Sequence, residues 1–153
     1  MKVEERLKEM GLELPQQQPP MGNYVPAVQT GNLVFVSGHG PISPKYRGKV
    51  GRDLTTEEGG EAAREVMLRC LASLRMLIGD LDRVQRVVKL LGMVNCTEDF
   101  YEQPRVINGA SDLLVALYGD NGRHARSAVG MQSLPGTAAG SIAVEIEMIV
   151  EVR

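Results

Sequence analysis

The run VVKLLGMVNC, Val87–Cys96, decides how this chain has to fold. A strand with one wet face alternates apolar and polar side chains, yet Val87, Val88, Leu90, Leu91, Met93 and Val94 are apolar at both parities. Such a strand belongs in the interior of a sheet, covered on both sides. The same holds for Leu33, Val34, Phe35 and Val36 upstream. The sequence supplies too little to cover two faces. Only two long helices are predicted, and two helices can cover one face of a sheet. The other face would expose a large apolar patch. Self-association is therefore expected to bury it. A closed ring is the usual symmetric solution, and clefts between protomers are natural sites for small molecules.

The remaining elements follow outward from that strand. In DLTTEEGGEAAREVMLRCLASLRMLIGD, Thr55 and Glu58 form a capping box. Ala63, Val66, Met67, Cys70, Leu71, Leu74, Leu77 and Ile78 then trace one face of a helix. Gly59 and Gly60 in its first turns weaken it, which marks a fraying start or a close contact. EDFYEQPRVINGASDLLVALYG gives the second helix, with Pro104 in its first turn. Near the start, strands around Val25–Thr30 and Leu33–Ser37 flank Gly31-Asn32, a two-residue hairpin signal. Strands are also predicted over 126–133 and in SIAVEIEMIVEVR. They are expected to pair as a hairpin around LPGTAAGS, placing Glu145 near Gly130 with Arg126 on the same side of the sheet. Val3, Leu7 and Met10 at helical spacing, closed by Gly11, make a short N-terminal helix. Residues 1–22 thus read as helix and linker, and 23–153 as the core of one α+β domain.

Seventeen Lys and Arg against nineteen Asp and Glu leave a net charge of −2, with no basic run to follow a phosphate backbone. Nucleic acid is not an expected partner. The two cysteines, Cys70 and Cys96, have no metal-like spacing, and with two histidines no metal site is expected. Reduced thiols, a charged amphipathic N-terminus without a signal-peptide core and the absence of a spanning apolar run point to a cytoplasmic protein without a membrane role.

Arg126 stands out in RSAVGMQ because its neighbours on its own face are only Ala128, Gly130 and Gln132. A guanidinium donates two parallel charge-assisted hydrogen bonds to a carboxylate, and small neighbours leave room for one. An interfacial or surface arginine paired with an acid is the alternative. Glu145 shares ordinary outward alternation with Glu147 and Glu151. Tyr24 could contact a ligand or cap the first hairpin. His39, in SGHGP, could serve as an acid or base near its reference pKa or make a local backbone bond. His124 is expected to be exposed.

GNYVPAVQTGNLVFVSGHGPISP, NGASDLLVALYG, ARSAVGMQSLPG and IAVEIEMIVEV together resemble the Rid family, also called the YjgF/YER057c/UK114 family, of imine and enamine deaminases and their relatives. The resemblance runs from about Tyr24 to Arg153. It implies a chorismate-mutase-like mixed β-sheet with two main helices on one face, to which this chain adds the short N-terminal helix. It also implies a homotrimer with clefts between subunits. By position, Arg126 matches the arginine that clamps a substrate carboxylate and Glu145 the acid that positions water. Tyr24 and Gly38 match two further cleft residues, and Ala128 and His39 would line the same cleft. Ala128 stands where deaminase members commonly carry Cys, and GNY replaces the frequent GPY. The resemblance therefore implies hydrolysis of reactive 2-imino or enamino acids to 2-oxo acids and ammonia, without cofactor or metal, in a divergent subgroup. A protein that only binds or senses a small 2-oxo acid is the alternative. A ribonuclease activity fits the mildly acidic charge poorly.

Overall fold

The computed structural model describes residues 2–16 and 22–153, so part of the predicted linker, residues 17–21, lies outside the described residues. In chain order the elements are α1 (Lys2–Glu9), β1 (Ala27–Thr30), β2 (Leu33–His39), α2 (Thr56–Ile78), β3 (Val84–Asn95), α3 (Gln103–Tyr118), β4 (Ala125–Met131), the two-residue strands β5 (Gly136–Thr137) and β6 (Gly140–Ser141), and β7 (Val144–Val152). One mixed sheet runs β1-β2-β7-β3-β4. Its helix-facing side is apolar over the inner strands: Val34, Val36, Leu90, Val94, Ile146, Met148 and Val150 meet Met67, Cys70, Leu71 and Leu74 of α2 and Ile107 and Leu114 of α3. Each such large side chain contributes roughly 1.5–3 kcal/mol by leaving water.

Local signals explain the helix boundaries. Thr55 Oγ1 accepts from the Glu58 amide at 3.1 Å while the Thr55 amide donates to Glu58 Oε1 at 3.0 Å, the reciprocal capping box that starts α2. Gly59 and Gly60 mark a close contact and not a frayed start. A Cβ on Gly109 of α3 would lie 2.0 Å from the Gly60 carbonyl oxygen, so the two helices touch backbone to backbone where side chains are absent. The hairpin turn is Gly31-Asn32, with Thr30 opposite Leu33. The short α1 buries Val3 and Leu7, and the amides of Lys2 and Val3 donate to the Asp82 carboxylate at 2.7 and 3.0 Å. Those donors hold the Asp82 carboxyl below the usual carboxylate range.

The expected strand pairing is corrected. β4 does not form a hairpin with β7; it lies parallel to β3 at the edge, with Arg126 opposite Leu90, while β7 inserts antiparallel between β2 and β3. The reason is the helix between β3 and β4. A strand-helix-strand unit returns parallel to its first strand, whereas an antiparallel hairpin needs only a short turn. β3 is interior, as expected, but within one protomer it is covered on the helix side alone. On the open side Val28 and Phe35 remain 51% and 44% exposed. They join Leu91 and Ile149 in a groove of about 400 Å3 that Lys89 and Glu147 also line.

The long loop after β2 is fastened down. The Val50 amide donates to the Asn95 carbonyl at 2.9 Å and the Gly48 amide to the Ser141 carbonyl at 2.8 Å. Buried Asn95 returns its Nδ2 to the Gly48 carbonyl at 3.1 Å and accepts from Lys49 Nζ at 2.9 Å.

Candidate functional site

The candidate residues separate into two groups. The first surrounds an irregularity in β2, whose pairing with β7 shifts register between Val36 and His39. There Gly38 lies over Glu145: a Cβ at Gly38 would stand 2.4 Å from Glu145 Oε2, so only a glycine leaves the carboxylate its place. The chain entering β1 is tied to the same spot. The Ser37 amide donates to the Pro26 carbonyl at 2.8 Å and the Ser37 hydroxyl to the Val25 carbonyl at 2.7 Å, which brings Tyr24 beside the irregularity, half-exposed. The three glutamates of β7 are not equivalent. Glu151 accepts from Asn32 Nδ2 at 3.1 Å and Glu147 is exposed, while Glu145 is half-buried. Loss of water around Glu145, and secondarily the negative charge of Glu147, push its pKa up, so it holds a proton more readily than an ordinary glutamate.

The second group lies at the edge strand. Arg126 shares a sheet row with the buried Leu90 and Met148, and so points to the helix side. Its Nη1 donates to Asn108 Oδ1 at 2.8 Å and to Ser111 Oγ at 3.1 Å, both on α3. Among the described residues it makes no ion pair and its Nε and Nη2 have no partner. That leaves the side-on fork of the guanidinium open for a carboxylate. Ala128 follows on the same side, packed against the core. Glu145 pairs with Met93, which pairs with Val129, on the open side of the sheet. Arg126 and Glu145 therefore face opposite sides of one sheet, which corrects the expectation that they share a side.

His39 is turned inward. Its Nδ1 lies 2.5 Å from the Ser37 carbonyl and its Nε2 2.7 Å from Ser73 Oγ, and burial lowers its pKa. Both ring nitrogens are thus engaged inside the protomer. His124 was expected to be exposed. It is half-buried, with Nδ1 2.7 Å from the Gly122 carbonyl and Nε2 2.9 Å from Ser111 Oγ. Sequence reasoning missed this contact because Ser111 and His124 are thirteen residues apart and meet only once α3 is laid on β4. No group of three or more His, Cys, Asp or Glu among the described residues could hold a metal, and none of the described helices is long and apolar enough to cross a membrane.

A mixed five-stranded sheet with helices on one face, and polar residues gathered at its edge and on its open side, defines an α+β protein of the chorismate-mutase-like type. The family described as "YjgF/chorismate_mutase-like, putative endoribonuclease" matches residues 4–144, and the chain belongs to it. It is 42% identical to Protein TCP17 of Trypanosoma cruzi over 99% of this chain and 95% of that protein. Among solved structures it resembles protein Atu1372 of Agrobacterium tumefaciens, of unknown function, with 43% identity, a TM-score of 0.89 and coverage of 99% and 94% of the two chains. RidA from the Antarctic bacterium Psychrobacter is 26% identical, with a TM-score of 0.59 over 89% of this chain and 94% of that one.

Proposed function

We propose that the protein is a homotrimer that hydrolyses 2-imino or enamino acids to 2-oxo acids and ammonia in clefts between protomers. The observation that carries this reading is the division of the candidate residues: a carboxylate clamp on one side of the sheet and an acid with a raised pKa on the other. They cannot converge within one chain. A second protomer packed on the apolar open face brings the Tyr24–Gly38–Glu145 group of one copy to the Arg126 edge of the next, and buries the Val28, Phe35, Leu91 and Ile149 surface in the same act.

In that cleft the open Nε–Nη2 fork of Arg126 binds the substrate carboxylate and fixes the C2 carbon in place. Glu145 takes a proton from a water as its oxygen attacks C2. It passes that proton to the nitrogen as the C2=N π bond opens, giving a carbinolamine, and then carries the carbinolamine hydroxyl proton to the nitrogen as well, so that the C2–N bond breaks, ammonia leaves and the carbonyl forms. The raised pKa of Glu145 suits an acid that must both accept and return a proton. The Gly38 backbone lies against the carboxyl, and Tyr24 lines the cleft.

The test generates imines with an amino-acid oxidase or threonine dehydratase and follows their decay with and without the protein. Acceleration that Arg126→Ala and Glu145→Gln both remove supports the reading. No acceleration across several amino acids overturns it. Ala128 favours a second reading, a protein that binds a small 2-oxo acid without turnover, because a thiol is missing where deaminases commonly have one. Saturable 2-oxo acid binding, lost in Arg126→Ala while imines decay at the uncatalysed rate, selects that alternative.

A further inference from the structure

We propose that Ser111 and His124 are positioning residues that lock the Arg126 guanidinium in the orientation that leaves its Nε–Nη2 fork free for the ligand. The inference rests on the reading of Arg126 as the carboxylate clamp and adds what holds that clamp. A long arginine side chain on an edge strand has several rotamers to lose, and immobilising it weakens a binding event that has to do so. Here that ordering is completed before any ligand arrives.

The hydrogen-bond directions follow from one fixed point. The Gly122 carbonyl, 2.7 Å from His124 Nδ1, can only accept, so Nδ1 carries the proton and Nε2 of the neutral ring is an acceptor. Nε2 lies 2.9 Å from Ser111 Oγ, so the serine hydroxyl donates to it. A lone pair of Ser111 Oγ then faces Arg126 Nη1 at 3.1 Å. Asn108 Oδ1, at 2.8 Å, takes another Nη1 hydrogen. Without His124 the serine hydroxyl could rotate its own hydrogen toward the guanidinium; with it, the oxygen is held as an acceptor. Burial and the Arg126 charge both depress the His124 pKa, which keeps the ring in the neutral form the chain of bonds needs.

The experiment uses the intact protein with side-chain 15N labelling. The wild type is expected to show resolved, slowly exchanging Arg126 guanidinium protons and a His124 ring protonated at Nδ1. In Ser111→Ala the Arg126 signals are expected to average, and in His124→Phe they broaden. Calorimetric titration with 2-oxobutanoate is expected to give an affinity weakened about three- to tenfold in Ser111→Ala, recovered in Ser111→Thr, with KM changed more than kcat where turnover is measurable. Arg126 signals already averaged in the wild type, or unaltered in Ser111→Ala, overturn the inference. A wild type whose guanidinium is held but which binds no 2-oxo acid leaves the positioning intact and instead removes the proposed ligand.

Discussion

Arg126 and Glu145 sit on two parts of one sheet that differ in what holds them. Arg126, on the edge strand, is oriented by three residues of its own protomer, Asn108, Ser111 and, through the serine, His124. Glu145, on the central strand, has no comparable partner among the described residues. Its position is defined by space, the gap left by Gly38, and its chemistry by partial loss of water beside Glu147. The cation is therefore ready in the isolated chain. On the proposed reading the acid becomes fully sheltered only when another protomer covers the open face, which would couple assembly and proton chemistry through Glu145 and not through Arg126.

The largest effect should come from breaking that coupling. Leu91→Asp places a charge in the middle of the open-face groove, half-exposed in one protomer, so the protomer itself keeps its fold. Burying the unpaired carboxylate between copies costs several kcal/mol, enough to abolish the trimer and with it 2-oxo acid binding and turnover. Light scattering on the wild type and the variant measures this. A wild type that remains monomeric at micromolar concentration while binding a 2-oxo acid would break the comparison, because both halves would then work without meeting.

Smaller effects are expected from removing either half alone, and the two losses should differ in kind. Glu145→Gln keeps the shape and loses the proton carrier, so kcat is expected to fall about 10²- to 10⁴-fold with little change in 2-oxo acid affinity. Arg126→Ala is expected to cost roughly 2–4 kcal/mol of carboxylate affinity, the range for truncating a buried charge-assisted contact, with the trimer intact. Steady-state kinetics and calorimetry on the same preparations separate them. Equal losses of binding in both variants would mean that the acid also holds the carboxylate.

The contrast between the halves also explains what could be read from the sequence. Periodicity and capping placed α2 and α3, and the two-sided apolar runs Leu33–Val36 and Val87–Val94 foretold one uncovered face. The strand pairing was misjudged at the end of the chain. Proximity in sequence favoured a hairpin of 126–133 with 142–152, but α3 between β3 and β4 makes a parallel return, and β7 takes the interior position. That one error put Arg126 on the wrong side of the sheet relative to Glu145. Arg126 drew attention in the sequence because its neighbours are small. Ser111 and His124 carried no local signal, since a hydrogen bond between a helix and an edge strand exists only in the folded register.

The smallest effect is a difference in how the two halves respond to pH. The folded pKa of Glu145 is raised, so ionising it costs the folded state. Its contribution is full below the ordinary carboxylate value of about 4.3 and is lost as pH rises through the raised value. The folded pKa of His124 is lowered by burial and, less strongly, by Arg126. Its contribution is present above about 6.5 and is lost as pH falls through the lowered value. The slopes are opposite. Urea unfolding across this range, taken as differences from the wild type, is expected to show Glu145→Gln gaining relative stability as pH rises and His124→Phe gaining it as pH falls. Glu147→Gln should reduce the Glu145 slope without removing it, because loss of water is the larger cause and Glu147 the lesser. If the slope vanished in Glu147→Gln, the open side of the sheet would be wetter than its geometry implies, and the acid would owe its character to its neighbour's charge.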